Sequence, residues 1–179
     1  MLPPGHAAVG YLAFSLCRRA WHRDVPTDSS MVWLLFATQL PDLIDKPLAW
    51  SLGVLPTGRS LGHSVVFALP LVLLVEFWFR RRNRPADGDG FAVGYFSHLF
   101  ADSAFALRGG AEWITFLVWP LLASPEYGSR PSIWPPAVYF SSIELAVGAV
   151  VAALWIADGM PGLGYVRAIR GRLRKDQQN

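Results

Sequence analysis

The sequence predicts an all-α, polytopic integral membrane bundle of about five spans plus one re-entrant or interfacial segment, a single membrane-embedded domain over residues 1–179. Three observations carry this. Hydrophobic residues fill 53% of the chain and charged ones only 16%, a balance extreme for a soluble protein of this size. The apolar residues gather in long runs, with eight Trp among them. The basic residues behind the net charge of +3 cluster at the ends of those runs. There they read as topology signals, so no nucleic-acid partner is expected. Cys17 is the single cysteine, which excludes an intramolecular disulfide and a thiolate metal cage.

The first run, Gly5–Cys17, is closed by Arg18-Arg19. At about 1.5 Å rise per residue it is short for a hydrocarbon core of about 30 Å, so it is expected to span only if neighbouring helices wrap it. No positive region precedes it, so no secretory signal is expected. After a polar linker, Trp21–Ser30, the second run extends from Met31 to Leu52, with Pro41 expected to kink it. A turn-rich link holding Gly53, Pro56 and Gly58 leads to the third run, Leu61–Phe79, which stops at Arg80-Arg81-Arg82. Asp87-Gly88-Asp89-Gly90 reads as a flexible turn. The fourth run is Phe91–Leu107. Glu112–Ala123 is a half-length piece broken at Pro120, followed by a Pro- and Ser-rich loop, Ser124–Pro136. Ala137–Ala157 is the cleanest span, and residues 165–179 form a basic tail expected in the cytoplasm.

Loop charge orients the bundle. Twelve of the 16 basic residues fall in clusters at 18–23, 80–84 and 167–175, and positive loops stay cytoplasmic. The N-terminus is then outside and the C-terminus inside the cell membrane, and the piece 112–123 does not cross. Trp113 and Trp134 suit the outer interface; Trp21, Trp33, Trp78 and Trp155 suit the inner one.

Four apolar segments nonetheless carry His or Asp: His6, Asp42 with Asp45, His63, and His98 with Asp102. A charge at mid-bilayer costs about 2.5–3.5 kcal/mol on the gentlest scale, so such residues mark tasks. In the orientation above, all of them fall in the outer half, at similar depth. His and Asp together suit a hard or borderline divalent metal, zinc first and manganese second. His98 and Asp102, four apart, share a helix face; the plainer alternative is a pair tying helices together. Asp42 and Asp45 share a face if the helix persists past Pro41, one as ligand and the other pairing with Lys46 or orienting a ligand. A helix N-cap is the plainer role for Asp42. His63 follows a glycine-rich turn and is either a ligand or a polar helix start. His6 is a ligand or merely exposed. His22, in the basic linker, is expected to be unrelated. Glu144, buried in the last run, is a ligand, a general base or a hydrogen-bonded strut. Arg59 is a clamp for an anionic oxygen or an ordinary loop cation.

In order, His6-Ala7-Ala8-Val9-Gly10, Pro41-Asp42 to Asp45, Arg59 to His63-Ser64, and Ser97-His98 to Asp102 form a recognisable series. It resembles the membrane-bound, metal-dependent hydrolase family, also called LexA-binding inner-membrane hydrolases. That family's pattern is a His-x-x-x-Gly start, a Pro-Asp-rich segment, an Arg-containing turn ending in His-Ser, and a Ser-His-x-x-x-Asp helix. The resemblance implies a helical bundle similar to zinc-dependent phospholipase C, with His6, Asp42, His63, His98 and Asp102 as metal ligands. Gly58 stands where the family commonly has His, and the acidic pair is Asp-x-x-Asp where Asp-x-Asp is commoner.

The expected function is hydrolysis of an ester or phosphoester at the outer membrane half by metal-activated water, with the location favouring a lipid or lipid-linked substrate. Glu144 or Asp45 is the expected base, and Arg59 the group stabilising negative charge. The absence of a His-Glu-x-x-His helix argues against peptide cleavage. Two alternatives stay open. One is an ion, proton or metal transporter, although no matched pair of broken helices is evident. The other is a non-catalytic membrane protein whose metal ties helices together.

Overall fold

The computed structural model describes residues 3–125, 142–165 and 168. Five α-helices organise it: α1 (Pro3–Cys17), α2 (Asp28–Lys46), α3 (Val65–Arg81), α4 (Pro85–Ala106) and α5 (Ser142–Ala157). Single π-helical turns, Arg18–His22 and Pro47–Ser51, extend α1 and α2, and 3-10 segments cover Leu107–Gly109 and Ala111–Val118. No strand occurs among the described residues. The expected all-α class is the observed one.

Local chemistry sets the helix starts. Thr27 caps α2 by accepting from the Ser30 amide while the Ser30 hydroxyl accepts from the Thr27 amide, a reciprocal capping box. Ser64 caps α3 by accepting from the Val66 amide. Pro85 opens α4, where its missing N–H costs nothing. α2 continues across Pro41, so Asp42 and Asp45 do share one helix.

Helix α4 is the hub, packed on α1, α2 and α3, while α5 rests on α1. One core cluster joins Ala37, Ala68, Val72, Phe91, Tyr95 and Leu99 between α2, α3 and α4. A second joins Tyr11, Phe14, Met31 and Leu34 between α1 and α2.

Two expectations need correction. Asp87-Gly88-Asp89-Gly90 is not a turn but lies inside α4, whose first residue is Pro85. Its glycines serve packing: a Cβ at Gly90 would lie 2.6 Å from the Ser30 carbonyl oxygen, and one at Gly94 2.6 Å from that of Leu34. The α4 backbone thus rests directly on α2, as small residues allow between membrane helices. Asp87 helps the start by placing a carboxylate in the first turn.

The second correction concerns spans. Among the described residues no helix is long and apolar enough to cross a membrane. α2 carries Asp28, Asp42, Asp45 and Lys46, α4 carries three aspartates, and α3 has only 17 residues. Apolar runs in the sequence do not coincide with uninterrupted apolar helices. The outer faces are nonetheless rich in exposed large hydrophobics, including Leu73, Leu74, Phe77, Phe100 and Val150. The proposed outer-interface Trp134, the start of the last run and the basic residues of the tail, from Arg167 on, fall outside the described residues.

Candidate metal centre

The site is assembled by α1, α2, α4 and the loop 52–64 that leads into α3. Asp45 fixes that loop. Its carboxylate accepts from the amides of Ser60 (2.7 Å), Gly62 (2.7 Å) and His63 (3.2 Å), and meets His63 Nδ1 at 2.8 Å. Gly62 is required here, because a Cβ would come within 2.9 Å of the Pro41 carbonyl oxygen. The Tyr95 hydroxyl donates to the Gly62 carbonyl at 2.6 Å, tying the same loop to α4. Phe116, from the 3-10 segment 111–118, closes over the His63 ring with centroids 6.0 Å apart.

Around this scaffold the structure brings together His6, Asp42, His63, His98 and Asp102, all five residues the sequence singled out. His63 and His98 are fully buried, His6 and Asp102 nearly so. The His63 and His98 Nε2 atoms face each other at 3.1 Å. Asp42 Oδ1 lies 3.5 Å from His63 Nε2 and 3.9 Å from His98 Nε2, and Asp102 Oδ2 lies 3.5 and 4.0 Å from the same two atoms. His6 stacks on His98 with ring centroids 4.0 Å apart, and its Nε2 meets Asp102 Oδ1 at 3.0 Å.

The hydrogen-bond partners decide where the protons sit. His98 Nδ1 faces the Thr38 carbonyl at 2.7 Å, and a carbonyl only accepts, so Nδ1 carries the proton. His63 Nδ1 faces a carboxylate that otherwise meets only amide donors, so it too donates. In neutral imidazoles both Nε2 atoms then present lone pairs, and they converge with two carboxylate oxygens. The two facing Nε2 lone pairs repel unless a positive centre, a proton or a metal ion, lies between them. Metal-bound histidines show ring nitrogens fixed from behind in this way, by a carboxylate or a carbonyl, so these two residues could hold a metal.

The spacing fits a small dication. Zinc bonds of about 2.0–2.1 Å in a tetrahedron set donors about 3.3 Å apart, and the separations above run from 3.1 to 4.0 Å. Two triads have donor atoms within 4.8 Å of one another, His6–His98–Asp102 and Asp42–His63–His98. His98 has one ring nitrogen to give, since Nδ1 is committed to Thr38, so the triads describe one centre.

Two cations border it. Arg59 Nε donates to Asp102 Oδ2 at 2.7 Å, and Lys46 bridges to Asp42. Their side chains, 22% exposed each, and that of Asp42, 12%, are the ones that reach outward, so the centre opens on this side. The Glu144 backbone lies in α5, but its side chain is outside the described residues. His22 lies away from the centre, 3.8 Å from Asp89. Sequence reasoning missed Thr38, because the contributing atom is a backbone carbonyl, which no residue type announces.

The class that the structure defines is an all-α bundle with a buried His–Asp centre and many exposed apolar side chains. The chain belongs to the YdjM inner membrane protein family, whose family model matches residues 1–165. No curated protein and no solved structure matches the chain.

Proposed function

We propose that this protein is a membrane-bound, divalent-metal-dependent hydrolase of an ester or phosphoester, with zinc as the first candidate metal and manganese the second. The observation that carries this reading is the pair of buried imidazole nitrogens 3.1 Å apart, each with its other nitrogen already committed, facing Asp42 and Asp102. A dication held there supplies a Lewis acid for a phosphoryl or acyl oxygen and acidifies water towards a pKa of about 7.

In this reading His63, His98 and Asp102 would hold the metal, which would supply Lewis-acid activation of a water or substrate oxygen. Asp45 and Thr38 aim the two rings, and His6 aims Asp102. With both its oxygens engaged by donors, Asp45 is assigned positioning in place of the base role. Asp42, the most exposed carboxylate of the group, would accept the proton of the attacking water. Arg59 stabilises negative charge that develops beside Asp102. Glu144 stays a proposed base on the ground of its place in the last apolar run alone.

The proposed setting is the cell membrane, with the bundle embedded as a unit, the N-terminus outside and the basic tail inside. The exposed apolar residues and the clustering of basic residues support it. A site at that depth favours a lipid or lipid-linked substrate. Release of a labelled head group from purified lipids, lost in His98→Ala, is the expected result; no release from any lipid class by metal-loaded protein contradicts it.

A second reading has one observation in its favour. Asp42 Oδ1 lies 3.5 Å from His63 Nε2 and 3.9 Å from His98 Nε2, close enough to serve as a further ligand, and a closed site ties helices together without catalysis. Cobalt substitution separates the two. A spectrum that changes on adding small anions indicates an open position; one that never changes indicates a closed tie.

A further inference from the structure

The outward side of the centre carries a feature that the hydrolase reading does not by itself require. Lys46, the last residue of α2, bridges to Asp42 and lies 5.8 Å from the centroid of the Trp50 ring. Arg59, from the loop 52–64, bridges to Asp102 and lies 6.0 Å from the centroid of Phe116. The two cations therefore approach from different elements, each attached to a different acid of the centre and each resting near an aromatic face. Everything deeper is at most a few per cent exposed. A substrate group entering here meets Lys46 and Arg59 first.

Charge bookkeeping says what that group is. Asp42, Asp45 and Asp102 contribute three negative charges, and Lys46 and Arg59 two positive ones, with the histidines neutral. The bare centre is then at −1, and a dication brings it to +1. Without Lys46 and Arg59 the three carboxylates and a dication would stand at −1; with them the site stands at +1, the sign that an anionic phosphoryl oxygen complements and a neutral ester does not.

We infer that Lys46 and Arg59 form a two-cation clamp for an anionic phosphoryl group, which makes the substrate a phosphoester in place of a neutral carboxylic ester. This rests on the dication of the proposed function. Lys46 is the added residue: it holds Asp42 while the site is empty of substrate and shares its charge with the phosphoryl group when one enters. Arg59 does the same from the Asp102 side.

The test is binding, not turnover. Detergent-purified, zinc-loaded protein is titrated calorimetrically with inorganic orthophosphate, with micellar phosphatidate, and with micellar diacylglycerol as the neutral control. Zinc content and thermal unfolding are followed in every variant. The clamp predicts phosphate binding only with zinc present, and none of diacylglycerol. Lys46→Gln and Arg59→Gln each weaken phosphate binding by about tenfold or more with zinc retained, and Lys46→Arg restores most of it. Equal affinities for orthophosphate and phosphatidate support a clamp for the phosphoryl group alone, and tighter phosphatidate supports a lipid-linked phosphate. Zinc-loaded wild type that ignores orthophosphate and phosphatidate, or folded variants that bind them as wild type does, overturn the clamp and leave the hydrolase reading standing. A protein that takes up no zinc overturns both.

Discussion

Two buried polar groups on α1, one near each end, show what separates a strut from a site. At the C-terminal end, Asp158 follows α5 and accepts from the Tyr11 hydroxyl and the Ser15 hydroxyl, each at 2.6 Å, and from Arg19. Burial pushes its carboxyl up, but the hydrogen bonds from Ser15, Tyr11 and Arg19 prevail and hold it below the usual aspartate range. Donors meet acceptors, and the arrangement is complete. At the N-terminal end, His6 stacks on His98, and the acceptors of His63, His98, Asp42 and Asp102 converge on one another. Arg59 and Lys46 answer the two acids, but the facing Nε2 atoms of His63 and His98 need a proton or, as proposed, a metal ion between them. Burial of polar atoms is common to both, so burial alone does not identify function; the direction of the lone pairs does.

Substitutions at the two ends should therefore fail differently. The largest effect is expected for Asp102→Asn, which removes a ligand charge and uncouples both His6 and Arg59; zinc affinity measured by chelator competition should fall by more than about 100-fold, beyond the range seen for residues that only support ligands. Asp45→Asn touches no metal in this account but loosens the His63 ring and its loop. Zinc affinity should fall by about 10–100-fold. An unchanged affinity would show that Asp45 only anchors the loop.

Asp158→Asn should leave zinc affinity unaltered and lower stability by about 1–3 kcal/mol, the range for a buried donor left without its acceptor. Thermal unfolding in detergent checks this, and loss of zinc in a folded Asp158→Asn protein would erase the distinction between the ends. The smallest effect is on pH dependence. Because the folded Asp158 carboxyl lies below its ordinary value of 3.8, its contribution is complete above that value and is lost as pH falls through the folded one. Asp158→Asn should flatten the acid limb of the stability curve below about pH 4, with no change near neutrality.

Much of the architecture was legible because it rests on side-chain type. Apolar runs foretold helices, and His and Asp inside those runs pointed to the five residues that the structure gathers. What stayed hidden rests on backbone. The glycines of Asp87-Gly88-Asp89-Gly90 have the composition of a turn, yet Gly90 is there because the Ser30 carbonyl leaves no room for a Cβ. Thr38 orients His98 through its carbonyl, and Asp45 holds amides of Ser60, Gly62 and His63 that any sequence would supply. The apolar runs and the described helices differ in extent for a related reason: run length counts apolar residues, whereas helix ends are set by caps such as Thr27 and Ser64, and α2 and α4 carry charges inside them.

The central claim is that a dication lies between His63 and His98. Metal content by mass spectrometry of the detergent-purified protein, beside His98→Ala and with helicity checked in both, tests it most directly. The account predicts about one zinc or manganese per chain, lost in the folded variant. A folded wild type that carries no metal and cannot be loaded would contradict it, and would leave a shared proton as the positive centre between the two rings.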